Sequence, residues 1–199
     1  MIACLIFALL AEAAGGALEE APLEPLNSRL EQAEGLAGRF RRLDYRVLTM
    51  ESDTSRGSFL LANPNLFLLE FTDPSGRRMG FDGTDSYTVE PSSRQVMIYS
   101  GQRPSSFLGT LGAYRDSSLV DSVSVAGDSV TVWLEGHGGG IRTVVAGYTL
   151  SDSLPFLYAT EDANGNRITY LIDSVRVSGP VDLPAFALDI PEGYAVARP

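Results

Sequence analysis

The 199-residue chain contains no lysine: all 15 of its basic residues are arginine, set against 25 aspartates and glutamates for a formal charge of −10. Without a primary ammonium there is no Schiff-base nucleophile, no P-loop phosphate site and no lysine-held cofactor. Cysteine, histidine and tryptophan occur once each, as Cys4, His137 and Trp133. A thiol- or imidazole-rich cluster therefore cannot be assembled, no metal-ligand spacing is present, and neither metal nor cofactor is expected. The acidic balance points away from nucleic acid, which is bound by clustered cations that displace counterions. What is plentiful is apolar: 44% of the residues are hydrophobic, enough for one domain with a real core.

The amino terminus reads as an export signal. Every residue from Ile2 to Leu10 is apolar, and Ala11, Glu12, Ala13 and Ala14 supply the small residues of a cleavage site. The run is about half of the ~20 residues that span a bilayer, so a permanent transmembrane helix is not expected. Residues 1–14 are thus assigned as signal peptide, 15–25 as a solvated leader carrying Glu19, Glu20, Glu24, Pro22 and Pro25, and 26–199 as one domain. Cys4 is discarded with the signal, leaving a mature chain with neither disulfide nor thiol.

Leu26, Leu30, Ala33, Leu36, Ala37 and Phe40, behind a cap at Asn27 or Ser28, predict an amphipathic helix that runs to Phe40. The period then falls to two. Strands are predicted around Leu43 to Val47, Phe59 to Leu61, Phe67 to Phe71, Arg77 to Phe81, Ser86 to Val89, Gln95 to Tyr99, Val120 to Val125, Ser129 to Leu134, Arg142 to Leu150, Phe156 to Thr160, Ile168 to Val177 and Ala185 to Ile190. Asp73-Pro74-Ser75-Gly76, Asp82-Gly83, Ala126-Gly127-Asp128 and Asn164-Gly165 mark tight turns between them. The consequence is a long antiparallel meander with no parallel βαβ units. From Arg103 to Ala113, Pro104 followed by Phe107, Leu108 and Leu111 predicts a second short helix.

Catalytic constellations do not emerge. His137-Gly138-Gly139-Gly140 is similar to an oxyanion-hole loop, but neither a G-x-S-x-G elbow nor a second histidine accompanies it, so a flexible hairpin loop is expected. Asp162-Ala163-Asn164-Gly165-Asn166 begins like a calcium loop, yet Arg167 stands at the sixth position where the sharp turn needs glycine. The expected class is a binding protein rather than an enzyme. Some strands are apolar on both sides, with Leu60 and Leu68 opposite Phe59 and Phe67. Strand alternation makes Phe59, Leu61, Phe67, Leu69, Phe71, Met79, Phe81 and Met97 candidates to line an apolar cavity, with Phe107 and Leu108 on its cover.

Four segments carry a family resemblance. Leu36-Ala37-Gly38-Arg39-Phe40 looks like the end of a first helix. Gly57 to Phe67 places a glycine, Pro64 and an aromatic at a characteristic spacing. Phe81-Asp82-Gly83 is followed by Tyr87, similar to a D-G-x-x-x-W segment, and Phe186 to Tyr194 resembles a closing F-x-x-x-x-P-x-G signature. Together, across residues 26 to 196, they resemble the LolA family of periplasmic lipoprotein carriers. The resemblance implies a mainly β fold, an unclosed antiparallel barrel whose concave apolar face is lidded by helices and binds acyl chains. It also implies a monomer in the periplasm, a chaperone that takes acylated lipoproteins or lipids from an inner-membrane transporter to an outer-membrane acceptor. The family's lid-fastening arginine falls at Asn63 here. The chain ends at Pro199 without the extension of some carriers, so a different delivery partner is expected. A lipid-sensing or envelope-scaffold module on the same fold is the alternative, and a hydrolase using His137 a weaker one.

Overall fold

The computed structural model describes residues 22–62, 66–101, 119–136 and 140–199. The expected signal peptide and most of the leader, Asn63, the segment with Pro104, Phe107 and Leu108, and His137 lie outside the described residues. One helix, α1 (Glu24–Gln32), precedes strands β1 (Gly35–Arg46), β2 (Glu51–Ala62), β3 (Leu66–Asp73), β4 (Ser75–Phe81), β5 (Asp85–Glu90) and β6 (Gln95–Ser100). A second run follows: β7 (Val120–Ala126), β8 (Ser129–Glu135), β9 (Ile141–Thr149), β10 (Pro155–Asp162) and β11 (Arg167–Ser178). A 3-10 turn, Leu183–Phe186, and β12 (Ala195–Ala197) close the chain.

All twelve strands form one unclosed sheet in the order β12-β6-β5-β4-β3-β2-β1-β11-β10-β9-β8-β7. Each run is a meander, and antiparallel pairing of β1 with β11 joins the two. Only β12 runs parallel to its neighbour, β6. The expected turns are where the hairpins reverse: Gly83, Gly127 and Gly165 take φ of +102°, +60° and +83°, which a side chain would strain. Asp82 completes its turn by accepting hydrogen bonds at Oδ1 from the amides of Thr84 and Asp85, at 2.8 and 2.9 Å.

The mainly β, half-barrel-like expectation holds, with three corrections. The first helix stops at Gln32, and Leu36 to Phe40 lie in β1. Residues 36 and 40 share a face in either geometry, since a spacing of four fits both periods. Arg39 and Arg41 flanking Phe40 satisfy only the strand, where they point outward while Phe40 is buried. The helix also starts earlier than expected, at Glu24, with Pro25 in its first turn rather than Asn27 or Ser28 as cap. Residues 22–25 are accordingly not a solvated leader, because Leu23 is buried. Finally, Ala185 to Ile190 is not a strand: Pro184 and the 3-10 turn occupy that region, and the last strand forms after Gly193.

The sheet buries both faces of its first half. The inner face carries the main core, against which α1 packs with Leu23, Leu26 and Leu30. The outer face of β2, β3, β5 and β6 carries a second cluster, covered by Val181, Phe186, Leu188 and Tyr194. The Tyr87 hydroxyl fixes that cover by donating to the Phe186 carbonyl at 2.9 Å. Two of the segments quoted for the family resemblance thus meet in space. On the inner face, Gly57 makes room for an aromatic: a Cβ there would lie 2.2 Å from the Glu70 carbonyl oxygen and 2.9 Å from the Phe40 ring. Gly57→Ala must push backbone against backbone and is expected to cost about 2 kcal/mol, read as a lowered urea midpoint with unchanged slope.

Candidate functional site

The inner face is assembled row by row across the sheet. Met97, Thr88, Met79, Leu69, Phe59 and Gly38 stand opposite one another on successive strands from β6 to β1. Tyr99, Ser86, Phe81, Phe67, Leu61 and Leu36 form the next row, and Phe71, Gly57 and Phe40 a third. All eight cavity candidates on strands share this face. Phe59, Phe67, Leu69, Phe71 and Phe81 are buried in the main cluster, with Leu61 and Met79 packed on its margin. Met97 sits further out, half-buried, accepting at its sulfur a contact from the Tyr99 hydroxyl at 3.5 Å.

Half of the face lies outside the candidates that the sequence suggests. From β11 to β7, Tyr170, Tyr158, Ala146, Val132 and Val123 continue a row that starts at Arg42 on β1. Tyr148, Val130 and Val125 lie alongside. A signal exists in the alternation of Val130-Val132-Leu134 and Val144-Ala146-Tyr148, which predicts strands with one apolar side. What one sequence lacks is the β1–β11 pairing that puts that side on the same surface as Phe59 and Leu69.

Two polar features interrupt this apolar surface. Arg42 is buried, and its Nε and Nη2 donate to Asp44 Oδ1 at 3.2 and 2.6 Å. Its guanidinium carbon stands 5.5 Å from the centre of the Tyr170 ring, and Nη1 reaches the Met79 sulfur at 3.6 Å. Burial opposes the charge, but Tyr170 and the Asp44 carboxylate outweigh it and hold the guanidinium protonated, with its pKa raised. Burial pushes the Tyr170 phenol up in turn. The second feature is Asn27, on the inward side of α1 between Leu23, Leu26 and Leu30. It is 3% exposed, and among the described residues neither its amide nitrogen nor its oxygen has a hydrogen-bond partner. The start of α1 is tied down by the Tyr148 hydroxyl, which donates to the Pro22 carbonyl at 2.6 Å.

The site is therefore an apolar surface spanning a curled sheet, with one short helix packed on it among the described residues. That arrangement defines a class by its fold, an unclosed half-barrel with an apolar inner face, and contains no grouping of three or more His, Cys, Asp or Glu able to hold a metal among the described residues. No family model and no curated protein matches the sequence. Solved structures do match. An uncharacterized conserved protein of Thermus thermophilus superposes with a TM-score of 0.56 at 12% identity, over 89% of this chain and 99% of that one. A LolA superfamily protein of Nitrosomonas europaea matches over 84% of this chain and 98% of its own at 11% identity, with a TM-score of 0.45. At 12% identity the likeness to the Thermus protein is one of fold.

The two polar features give opposite expectations for stability. Asn27→Leu removes an unpaired buried amide and is expected to stabilise the chain by about 1 kcal/mol. Asp44→Asn leaves the buried Arg42 guanidinium without its counter-charge and is expected to cost about 3 kcal/mol. Urea titrations of both variants at pH 7 check the pair of signs.

Proposed function

We propose that the protein binds acyl chains on the inner face of its sheet and acts as a periplasmic carrier of acylated lipoproteins or lipids between the inner and outer membranes, without turning over a substrate. The observation that carries this reading is the covering of the apolar face by α1, nine residues long. Leu26 and Leu30 of the helix, with Leu23 at its cap, are to that face what an acyl chain would be. Exchanging Leu23, Leu26 and Leu30 for methylenes replaces one apolar contact with another, so loading is close to neutral at the protein. The lipid, by contrast, escapes water at about 0.8 kcal/mol per methylene. A carrier needs this balance, because cargo held by a deep permanent cavity could not be handed on.

Asn27 fits the same reading. An amide buried without a partner in the empty protein is matched by the ester or amide group at the head of an acyl chain, which offers the acceptor or donor that the apolar wall lacks. The reading also puts the chain outside the cytoplasm, in keeping with the export signal expected over residues 1–14. The transporter that loads the carrier and the acceptor that unloads it are part of the proposal, by the family resemblance.

Two measurements test it. Protein recovered from the periplasm should yield acylated lipoprotein or phospholipid on organic extraction and mass spectrometry. Leu26→Ala should lower the stability of the empty protein by about 3 kcal/mol while tightening binding of a fluorescent C16 fatty-acyl probe several-fold, because the competing cover is weakened. A helix that is merely core would show the first effect and not the second, and that outcome would sink the proposal.

A further inference from the structure

The outer face of the central strands carries a charge arrangement that the fold does not explain. Arg39 and Arg41 on β1, Arg56 on β2 and Arg176 on β11 are all exposed and all on this face. Arg41 stands directly opposite Arg56 in the register. Arg39 faces Ser174, two residues from Arg176 on the same strand. Like charges directly opposite each other on neighbouring strands, roughly 5 Å apart at Cβ, are destabilising. In a chain with 25 carboxylates and 15 arginines, such a pair is the arrangement that neutralisation would be expected to remove first.

Elsewhere neutralisation has taken place. Arg42, Arg46, Arg77, Arg78 and Arg167 each have a carboxylate within 4.0 Å. None of the four outer-face arginines has one among the described residues. Asp173 and Asp73 lie on the adjoining strands, Asp73 in register with Arg56, but among the described residues neither forms an ion pair. Glu70, across from Ser58, is bound to Arg78 at 3.4 Å. The carboxy-terminal cover ends short of this area, since it packs on Leu60, Leu66 and Leu68 and leaves the arginines in solvent. Beside them the outer row continues from Arg41 through half-buried Leu171 and Leu157.

We infer that Arg39, Arg41, Arg56 and Arg176 form a docking surface for a carboxylate-rich segment of a partner protein, with apolar residues of that segment resting on Leu171 and Leu157. Guanidinium forks match carboxylates in bidentate geometry, which suits a patch made only of arginine. An anionic bilayer offers the same charge, but it would hold the inner face turned away from the membrane; that choice rests on the acyl-carrier reading, whereas the unpaired arginines do not. A partner on the outer face leaves the inner face open for exchange of cargo while the carrier is held.

The test uses the full chain, a fluorescein-labelled octaglutamate peptide and vesicles containing 30% phosphatidylglycerol. Anisotropy should show saturable binding of the peptide that weakens with salt. Arg39→Gln/Arg41→Gln/Arg56→Gln should weaken it at least tenfold. Arg94→Gln/Arg142→Gln/Arg198→Gln removes the same charge elsewhere and should leave it within twofold. Arg41→Glu, which sets an opposite charge across from Arg56, should raise the thermal midpoint and abolish peptide binding, which keeps the result separate from misfolding. Equal losses in the two triple variants, no loss in the first, or vesicle binding through these arginines in place of peptide binding would overturn the inference. Binding of the C16 probe, measured on the same variants, is expected to be unchanged. Its absence from the wild-type chain would end the carrier reading while the peptide result still decides the docking surface.

Discussion

The pairing of β1 with β11 is the constraint on which the rest of the structure depends. It joins residues 35–46 to residues 167–178, so two meanders that could each have been a small curled sheet become one surface. The inner side of that seam is an aromatic junction: the Phe40 ring meets Phe71 at 5.3 Å and Tyr170 at 5.6 Å, both edge-on, and Tyr170 lies 6.3 Å from Tyr158. Edge-to-face contacts of this kind add to the area buried and fix the rings relative to one another. Gly57 and Gly38 give the rings of Phe40 and Phe59 their places, since a methyl at either would strike them within 2.9 Å. The apolar inner face is continuous because this junction is.

Covering that face is a different problem from building it. Its apolar side chains on β8 and β9, Val130, Val132, Leu134, Val144 and Ala146, are fully buried, and among the described residues α1 is the helix that packs on the same core. The first half of the sheet solves the matter on its outer side with a fixed cover, hydrogen-bonded through Tyr87 to Phe186. On its inner side the cover is anchored through a hydrogen bond to the Pro22 carbonyl and carries an unpaired amide inward. An unpaired buried amide weakens the covered state relative to any state in which Asn27 finds a partner. The two sides of one sheet thus differ in how firmly they are closed.

Much of this was legible in the sequence. Period-two alternation and the Gly-containing turns located β3 to β11 to within two residues at each end, whereas β1 and β2 each begin eight residues before the expected start; alternation alone put Phe59 through Met97 on one face. The misassignments share a cause. At Leu36 to Phe40 a spacing of four suits helix and strand equally, and the deciding residues, Arg39 and Arg41, are polar ones that an apolar count ignores. At Ala185 to Ile190 the apolar residues do alternate, but Phe186 is buried against Tyr87 rather than in a ladder, and Pro184 and Pro191 cannot donate to one. The second half of the inner face was readable as strands and unreadable as site, because long-range pairing of β1 with β11 leaves no local signature. Asn27 carried no signal at all: polar residues on a helix are ordinarily read as solvated, and only its place between Leu23, Leu26 and Leu30 shows otherwise.

The exclusive use of arginine gains meaning from where the side chains lie. Arg42 and Arg77 stand against Tyr170 and Phe71, 5.5 and 5.0 Å from the ring centres, each beside a carboxylate. A planar, weakly hydrated guanidinium can be placed against an aromatic wall while still donating in its own plane, which a compact ammonium cannot do at the same cost in desolvation. Arginine can therefore form part of the apolar inner face. At Arg39, Arg41, Arg56 and Arg176 on the outer face the same planarity leaves up to five donors per residue facing water, none of them taken by a carboxylate within 4.0 Å among the described residues, whereas Arg78 and Arg167 on that face are paired with Glu70 and Glu161. One residue type thus serves in two ways: set against an aromatic ring beside a carboxylate at Arg42 and Arg77, and grouped without a carboxylate partner among the described residues at four outer-face positions of β1, β2 and β11. An all-arginine chain could have distributed its 15 cations at random over 25 carboxylates; that Arg41 and Arg56 stand opposite each other while Arg78 and Arg167 of the same face hold carboxylates is what makes the central cluster a feature of the fold rather than of its composition.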